Sequence, residues 1–366
     1  MSEKAPRRAS RNESWTFLIP IGNLVLTEAV GREFKVDRVT FVHRDRLPLV
    51  RERLRLGVRV SELKKRRRLK RFFEVAETYA VVTESGSRRD VERRCLEMVR
   101  EELHLLSLSQ LGYSRALMKP IVPKGEVVHS YVDYLTVRSR AAAQDTAHWD
   151  SFHITAQKGD VVMDASWKRF QNKLFFANLL KILRRETQVD AGWRDELRRA
   201  SVMIGEGVGA NDLLKSFLWN MVALEMLLTR NEQAKMVETL PMRVEALLGW
   251  VFFWEEKDYG ARIRDVYRKR NDLIHRGRRD RITDVDLAFT DHLLVNLLAN
   301  LVNLPLFNSK DAVIAFSKRV EAERILGVKP KVRPKDMRFI TSQISLEFPA
   351  TGESIKLTEY DARPRS

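Results

Sequence analysis

Residues 261–277 read ARIRDVYRKRNDLIHRG, and the rest of the chain is best understood outward from them. Ile263, Val266, Tyr267, Leu273 and Ile274 recur three or four positions apart, which predicts an amphipathic helix from Ala261 to Arg276 that Gly277 stops. Position 270 lies on the same stripe, three after Tyr267 and four before Ile274, yet it holds an arginine. A guanidinium buried without a counter-charge is strongly destabilising, so a carboxylate should face it. In the stretch 212–230, Leu214, Phe217, Leu218, Met221, Met226 and Leu228 mark a buried side that Glu225 interrupts. We therefore expect a Glu225–Arg270 ion pair, with Arg243 as a competing partner.

Similar helical periodicity fills the chain from Trp167 onward, over Phe170 to Glu186, Trp193 to Glu206, Asp212 to Arg230, Leu240 to Phe253 and Asp284 to Leu304. Gly205, Gly207 and Gly209 read as a turn linking two of these helices, since no strand precedes them to build a phosphate-cradling unit. A last helix follows Pro305, capped by Ser309 and ended by Gly327, and a Pro- and Lys-rich stretch from Lys329 to Lys335 leads to a tail with weak strand character. Upstream the texture differs. Trp15, Phe17, Ile19 and Ile21 alternate before a Gly22-Asn23 turn and Leu24 to Leu26, and strand-like runs recur at Phe34 to Val42, Tyr79 to Thr83, Val127 to Val137, Ser151 to Ala156 and Val161 to Ala165. Asp90 to Leu106 is helical. The expected class is α+β: a basic arm over 1–12, a β-rich sensing or binding domain with helical insertions over 13–166, an all-α helical bundle over 167–307, and a helix with a basic tail over 308–366.

The 366 residues carry 66 Lys and Arg against 49 Asp and Glu, a net charge of +17. Such an excess favours a polyanionic partner such as RNA, DNA or an acidic membrane face. It is concentrated early, because residues 1–100 hold 25 basic and 14 acidic side chains. Within them Lys64, Lys65, Arg66, Arg67 and Arg68 open a run that ends at Arg71 and is followed by Phe72 and Phe73, dense enough to neutralise several phosphates or to be simply a solvated face. Residues 211–307 are neutral overall, yet 262–281 hold nine basic and three acidic side chains, among them Arg276, Arg278 and Arg279. A single cysteine, Cys95, excludes an intrachain disulfide and a cysteine metal cage. No apolar run approaches the ~20 residues of a membrane span, so a cytoplasmic protein without membrane contact is expected.

His275 is the group in the key helix suited to acid-base work, because an imidazole can both accept and deliver a proton. Asn271 sits one turn before it on the same face. From spacing alone a capping role is the commoner one. His148 and His153, with Asp145 and Asp150 nearby, lack the fixed spacing of a metal site, and no metal or cofactor is expected. His292 either faces the site or caps its own turn. Trp250, Phe252, Phe253 and Trp254 suit a core or dimer interface better than a base-stacking platform.

Tyr267-x-x-Arg270-Asn271-x-x-x-His275-x-Gly277, with the segments Phe217 to Leu227 and Leu240 to Val244 before it, resembles an Apea-like HEPN domain (higher eukaryotes and prokaryotes nucleotide-binding). The resemblance covers roughly residues 205–305. It implies a helical domain that forms a homodimer in which two R-x4-H motifs meet as a metal-independent endoribonuclease. His275 would act on the 2′-hydroxyl or the leaving 5′-oxygen, Arg270 would stabilise the transition-state charge, Asn271 would orient them, and Glu225 and Tyr267 would support the site. A 2′,3′-cyclic phosphate and a 5′-hydroxyl would result. Similar proteins act in antiviral defence by abortive infection or as growth-arresting toxins, and some serve only as dimerisation and nucleic-acid or nucleotide-binding modules.

Overall fold

The computed structural model describes residues 14–53, 61, 65, 67–113, 118–124, 129–137, 147–155, 160–210, 212–230, 236–248, 259–328, 337, 339–341 and 358–360. The expectations for residues 1–12, Lys64, Arg66, Asp145, Trp250, Phe252, Phe253, Trp254 and the 329–335 stretch lie outside them.

The protein is a mixed α+β structure with its sheet at the amino-terminal side. Strand β1 (Ser14–Gly22) ends at Asn23, whose φ of 58° is a left-handed conformation that asparagine tolerates, and the chain turns there into β2 (Leu24–Leu26). The expected run from Phe34 to Val42 is in fact a hairpin, β3 (Glu33–Lys35) and β4 (Thr40–His43), with Phe34 opposite Phe41. After α1 (Leu47–Arg53) and α2 (Arg67–Glu74), β5 (Thr78–Ser85) inserts between β4 and β1. Phe17 stands opposite Val82, and Ile19 opposite Ala80. Helix α3 (Arg88–Leu108) and β6 (Val122–Pro123) follow, and β6 completes an antiparallel sheet of order β3-β4-β5-β1-β6. Strands β7 (His129–Val137) and β8 (Ala147–Thr155) form their own antiparallel pair, while β9 (Val161–Met163) runs parallel to β2.

Helices then take over as α4 (Ala165–Lys173), α5 (Phe176–Leu183), α6 (Ala191–Gly209), α7 (Leu213–Leu228), α8 (Met236–Leu248), α9 (Tyr259–Arg276), α10 (Asp284–Asn303) and α11 (Lys310–Ile325). Asp164, Asp190 and Asp212 cap α4, α6 and α7 by accepting from amides three residues on. Ser309 does the same for α11, and Gly327, at φ 63°, follows its end. Strands β10 (Phe339–Thr341) and β11 (Thr358–Tyr360) pair in the tail. Among the described residues only α10 is long and apolar enough to cross a bilayer, and 89% of that stretch is buried in the structure, where it is the central core helix.

Strands give way to helices near residue 166 as the sequence suggests, but the core does not break there. One continuous cluster joins Ile19 and Phe41 of the sheet, Val99 and Leu106 of α3, Ile204 of α6, Phe217 of α7 and Leu294 of α10. The close packing of α3 on α6 also corrects the glycine expectation. Gly205, Gly207 and Gly209 lie inside α6, and a Cβ at Gly205 would overlap the His104 carbonyl of α3. The glycine is there for backbone approach, not for a turn. Charges fasten the same junction: Arg198 of α6 donates to Asp37 at 3.3 Å, Glu101 at 3.0 Å and the fully buried Glu102 at 2.8 Å. Arg38 donates to Glu102 as well, and Arg184, at the end of α5, to the Val36 carbonyl at 2.7 Å, so α3, α6 and the end of α5 all hold the β3–β4 turn.

Candidate functional site

Helix α9 carries the residues singled out in the sequence. Ile263, Val266 and Tyr267 are buried and Leu273 packs against the core, as the stripe predicts. Ile274 is the exception, at 48% exposed, because the last turn of α9 reaches past its neighbours. The helix ends at Arg276. Gly277, at φ 65°, donates its N–H back to the Leu273 carbonyl at 3.1 Å, a left-handed cap that a side chain would strain.

Arg270 points inward with a side chain 16% exposed, and its Nη2 donates to Glu225 Oε2 on α7 at 3.0 Å. The expected ion pair is present. Arg243, the competing candidate, instead donates to the Leu228 carbonyl at the end of α7. Asn271 Oδ1 accepts from Arg270 Nη1 at 3.1 Å, and the guanidinium carbon lies 5.7 Å from the Tyr267 ring centre. Three neighbours therefore fix the orientation of one arginine. Burial raises the Tyr267 phenol pKa, and the Glu225 charge adds to that against the opposing pull of Arg270. Two buried atoms of the pair, Arg270 Nε and Glu225 Oε1, have no hydrogen-bond partner among the described residues.

His275 is exposed. Five positions along an α-helix correspond to about 7.5 Å of rise and about 140° of rotation, so Arg270 and His275 diverge within one chain. Around His275 the basic residues are organised by a single carboxylate. Asp272 accepts from Arg276 at 3.0 Å and from Arg281 at 2.8 Å, and Arg278 stands 4.0 Å away. The Arg279 side chain has no partner among the described residues and lines a groove of about 280 Å³ on the α7–α9 seam. The α10 amino terminus is tied to the same helix by Lys269, which donates to Asp286 at 2.9 Å, while Asp286 completes a capping box with Thr283.

The other expected site residues fall elsewhere. Lys65 is exposed, and Arg67 and Arg68 belong to α2, which Phe73 anchors beside Leu47, Ala76 and Tyr79. No described contact joins this basic run to α9. His148 and His153 lie in strand β8. His292 does not join the motif: its charged neighbour is Arg262 near the start of α9, thirteen positions before His275. Burial, with that charge, pushes the His292 pKa down to about 4. Sequence reasoning missed Asp272 and the groove. Asp272 was findable, being four residues before Arg276 in a basic turn. The groove was not, because it joins residues of two helices whose pairing periodicity does not reveal.

No family model, curated protein or solved structure matches this chain.

Proposed function

We propose that this protein is a metal-independent endoribonuclease of the HEPN type that works as a homodimer, in phage defence or toxin-like growth arrest. The observation that carries the proposal is the end of α9: an arginine held by a carboxylate, an amide and an aromatic ring, followed by an exposed histidine on a turn rich in arginine. In the reaction the 2′-hydroxyl of RNA attacks the adjacent phosphorus, the P–O5′ bond breaks, and a 2′,3′-cyclic phosphate and a 5′-hydroxyl are formed. His275 takes the 2′-hydroxyl proton or delivers one to the leaving oxygen. Arg270 stabilises the charge that develops on the phosphoryl oxygens. Because the two groups diverge within one chain, one phosphate is served by Arg270 and His275 only if a second copy brings its own motif alongside. Arg276, Arg278 and Arg279 supply local positive potential, and the basic run at Lys64 to Arg68 adds affinity for the polyanion.

A second reading follows from the ion pair. Glu225 neutralises Arg270, and both Nη groups are already engaged, which suits a module that dimerises and binds nucleic acid without cutting it. The two readings separate in one assay. Total RNA is incubated with the full chain in excess chelator, comparing wild type with His275→Ala and Arg270→Ala. The nuclease reading expects chelator-resistant cleavage lost by at least a hundredfold in either variant. Binding without cleavage by the wild type, joined to equal growth of cells overproducing wild type and His275→Ala, supports the module.

A further inference from the structure

The groove between α7 and α9 lies outside the catalytic assignment. On α7 it is lined by Leu214, Lys215, Leu218 and Trp219, and on α9 and the turn after it by Leu273 and Arg279. Its position is defined by the ion pair. From Glu225 to Leu218 the α7 numbering falls while from Arg270 to Leu273 the α9 numbering rises, so the two helices run antiparallel and the groove opens from the Arg270 pair toward the end that bears His275. Three leucines and an indole make its wall apolar and aromatic. Its lining charges are two cations, Lys215 and Arg279, and one carboxylate, Asp212. Lys215 is bridged to Glu206 at 2.8 Å, and Asp212 is occupied as the α7 cap, accepting from the Lys215 amide. The Arg279 side chain is left without a partner among the described residues, while Arg276, Arg278 and Arg281 lean on Asp272.

We infer that this groove is a nucleotide subsite: one unpaired base of a bound RNA enters among Leu214, Leu218, Trp219 and Leu273, and Arg279 holds the phosphate attached to it. The inference rests on the ribonuclease reading for its choice of polyanion. The volume of about 280 Å³ is just below that of pockets for drug-sized ligands, which suits a single ring system. An aromatic and aliphatic wall accepts the face of any base, and a rim cation meets the backbone charge, the combination by which single strands are bound with little sequence preference. A base paired in a duplex does not present that face.

The test uses two fluorescent octamers with equal numbers of phosphates, one a 2′-O-methyl oligoribonucleotide that lacks the nucleophile and the other an abasic backbone. Binding to the full chain is followed by anisotropy. Wild type should prefer the base-bearing octamer by about tenfold. Arg279→Ala, at an exposed position, should weaken both octamers severalfold and make the salt slope shallower by about 0.7. Leu214→Trp, which fills the groove, should bring the preference close to one, provided its thermal melt matches wild type. His275→Ala should keep the preference even where cleavage is lost, so the subsite and the nuclease reading fail separately. Equal affinity of wild type for the two octamers, or a preference that survives Leu214→Trp, overturns the inference. So does a change in dimerisation by Leu214→Trp with octamer binding untouched, since the groove is then a self-association surface.

Discussion

Arg270 shows how much a single misplaced charge reveals. On an apolar stripe it demands a partner, and its Nη2 lies 3.0 Å from Glu225 Oε2. Both side chains keep some solvent contact, at 16% and 19%, so Glu225→Ala should cost roughly 2–3 kcal/mol, below the ~3–5 kcal/mol of a fully buried pair. Arg270→Lys should not restore stability, because an ammonium cannot meet Glu225 and Asn271 with one planar fork. Urea midpoints measure both, and an unchanged midpoint for Glu225→Ala contradicts the buried-pair account. His292 gives a second prediction of the same scale. In the folded chain its pKa is pushed down to about 4, while the unfolded chain takes up the proton at the ordinary value of 6.5. The unfolded state therefore binds more protons between these values, and stability present above pH 6.5 is lost as pH falls toward 4. About 2 kcal/mol should disappear between pH 7 and pH 5, and His292→Gln should remove that part of the slope. The half-buried His104, whose pKa is also lowered by burial, adds a further loss in the same direction. These residues were unequally legible. Arg270 and Glu225 stood out because each breaks an apolar pattern, whereas His292, between Asp291 and Leu293, stands at the border of polar and apolar positions and gave no sign of which face it takes.

Between elements, the decisive feature is the approach of α3 and α6. Gly205 has only the His104 backbone beside it, so a methyl group there has no flexible side chain to displace. Gly205→Ala should destabilise by at least about 1–3 kcal/mol despite the better helix propensity of alanine. Gly209→Ala meets nothing closer than Ser107 Oγ at 3.9 Å and should be tolerated. Thermal melts compare them, and equal melting temperatures refute the packing argument. Here sequence and structure part for a physical reason. Three alternate glycines suggest a turn when only local propensity is weighed, and their role as a contact surface exists only once α3 is known to lie against them. Helices α6, α7, α9 and α10, by contrast, were legible because each carries its own periodicity and a cap or stop. The β3–β4 hairpin was read as one strand because apolar residues recur on both sides of its two-residue turn, whereas Asp37 and Arg38 form a bend closed by the Val36 N–H donating to the Val39 carbonyl at 3.1 Å.

At the level of the whole molecule, the change of texture near residue 166 separates strands from helices but not two cores. The hydrophobic cluster is continuous from Ile19 to Phe316, and Arg198 binds acidic groups from both the β3–β4 turn and α3. Denaturant unfolding of the full chain should therefore be a single transition, with far-ultraviolet dichroism and tryptophan fluorescence coinciding. Two separated transitions, one carrying strand signal and one helix signal, contradict it. The charge of the molecule, +17, is a property of the whole in the same sense. Arginine at the end of α9 is local, and the larger amino-terminal excess adds long-range attraction for a polyanion that weakens with salt.

The most direct measurement is the chemistry of the ends left on RNA. A defined oligoribonucleotide is treated with purified wild type and with His275→Ala in chelator, and the fragments are weighed by mass spectrometry. The account predicts fragments from the wild type alone, each break leaving a 2′,3′-cyclic phosphate on one side and a 5′-hydroxyl on the other. Fragments ending in 5′-phosphate, or the same cyclic ends at the same rate from His275→Ala, contradict it.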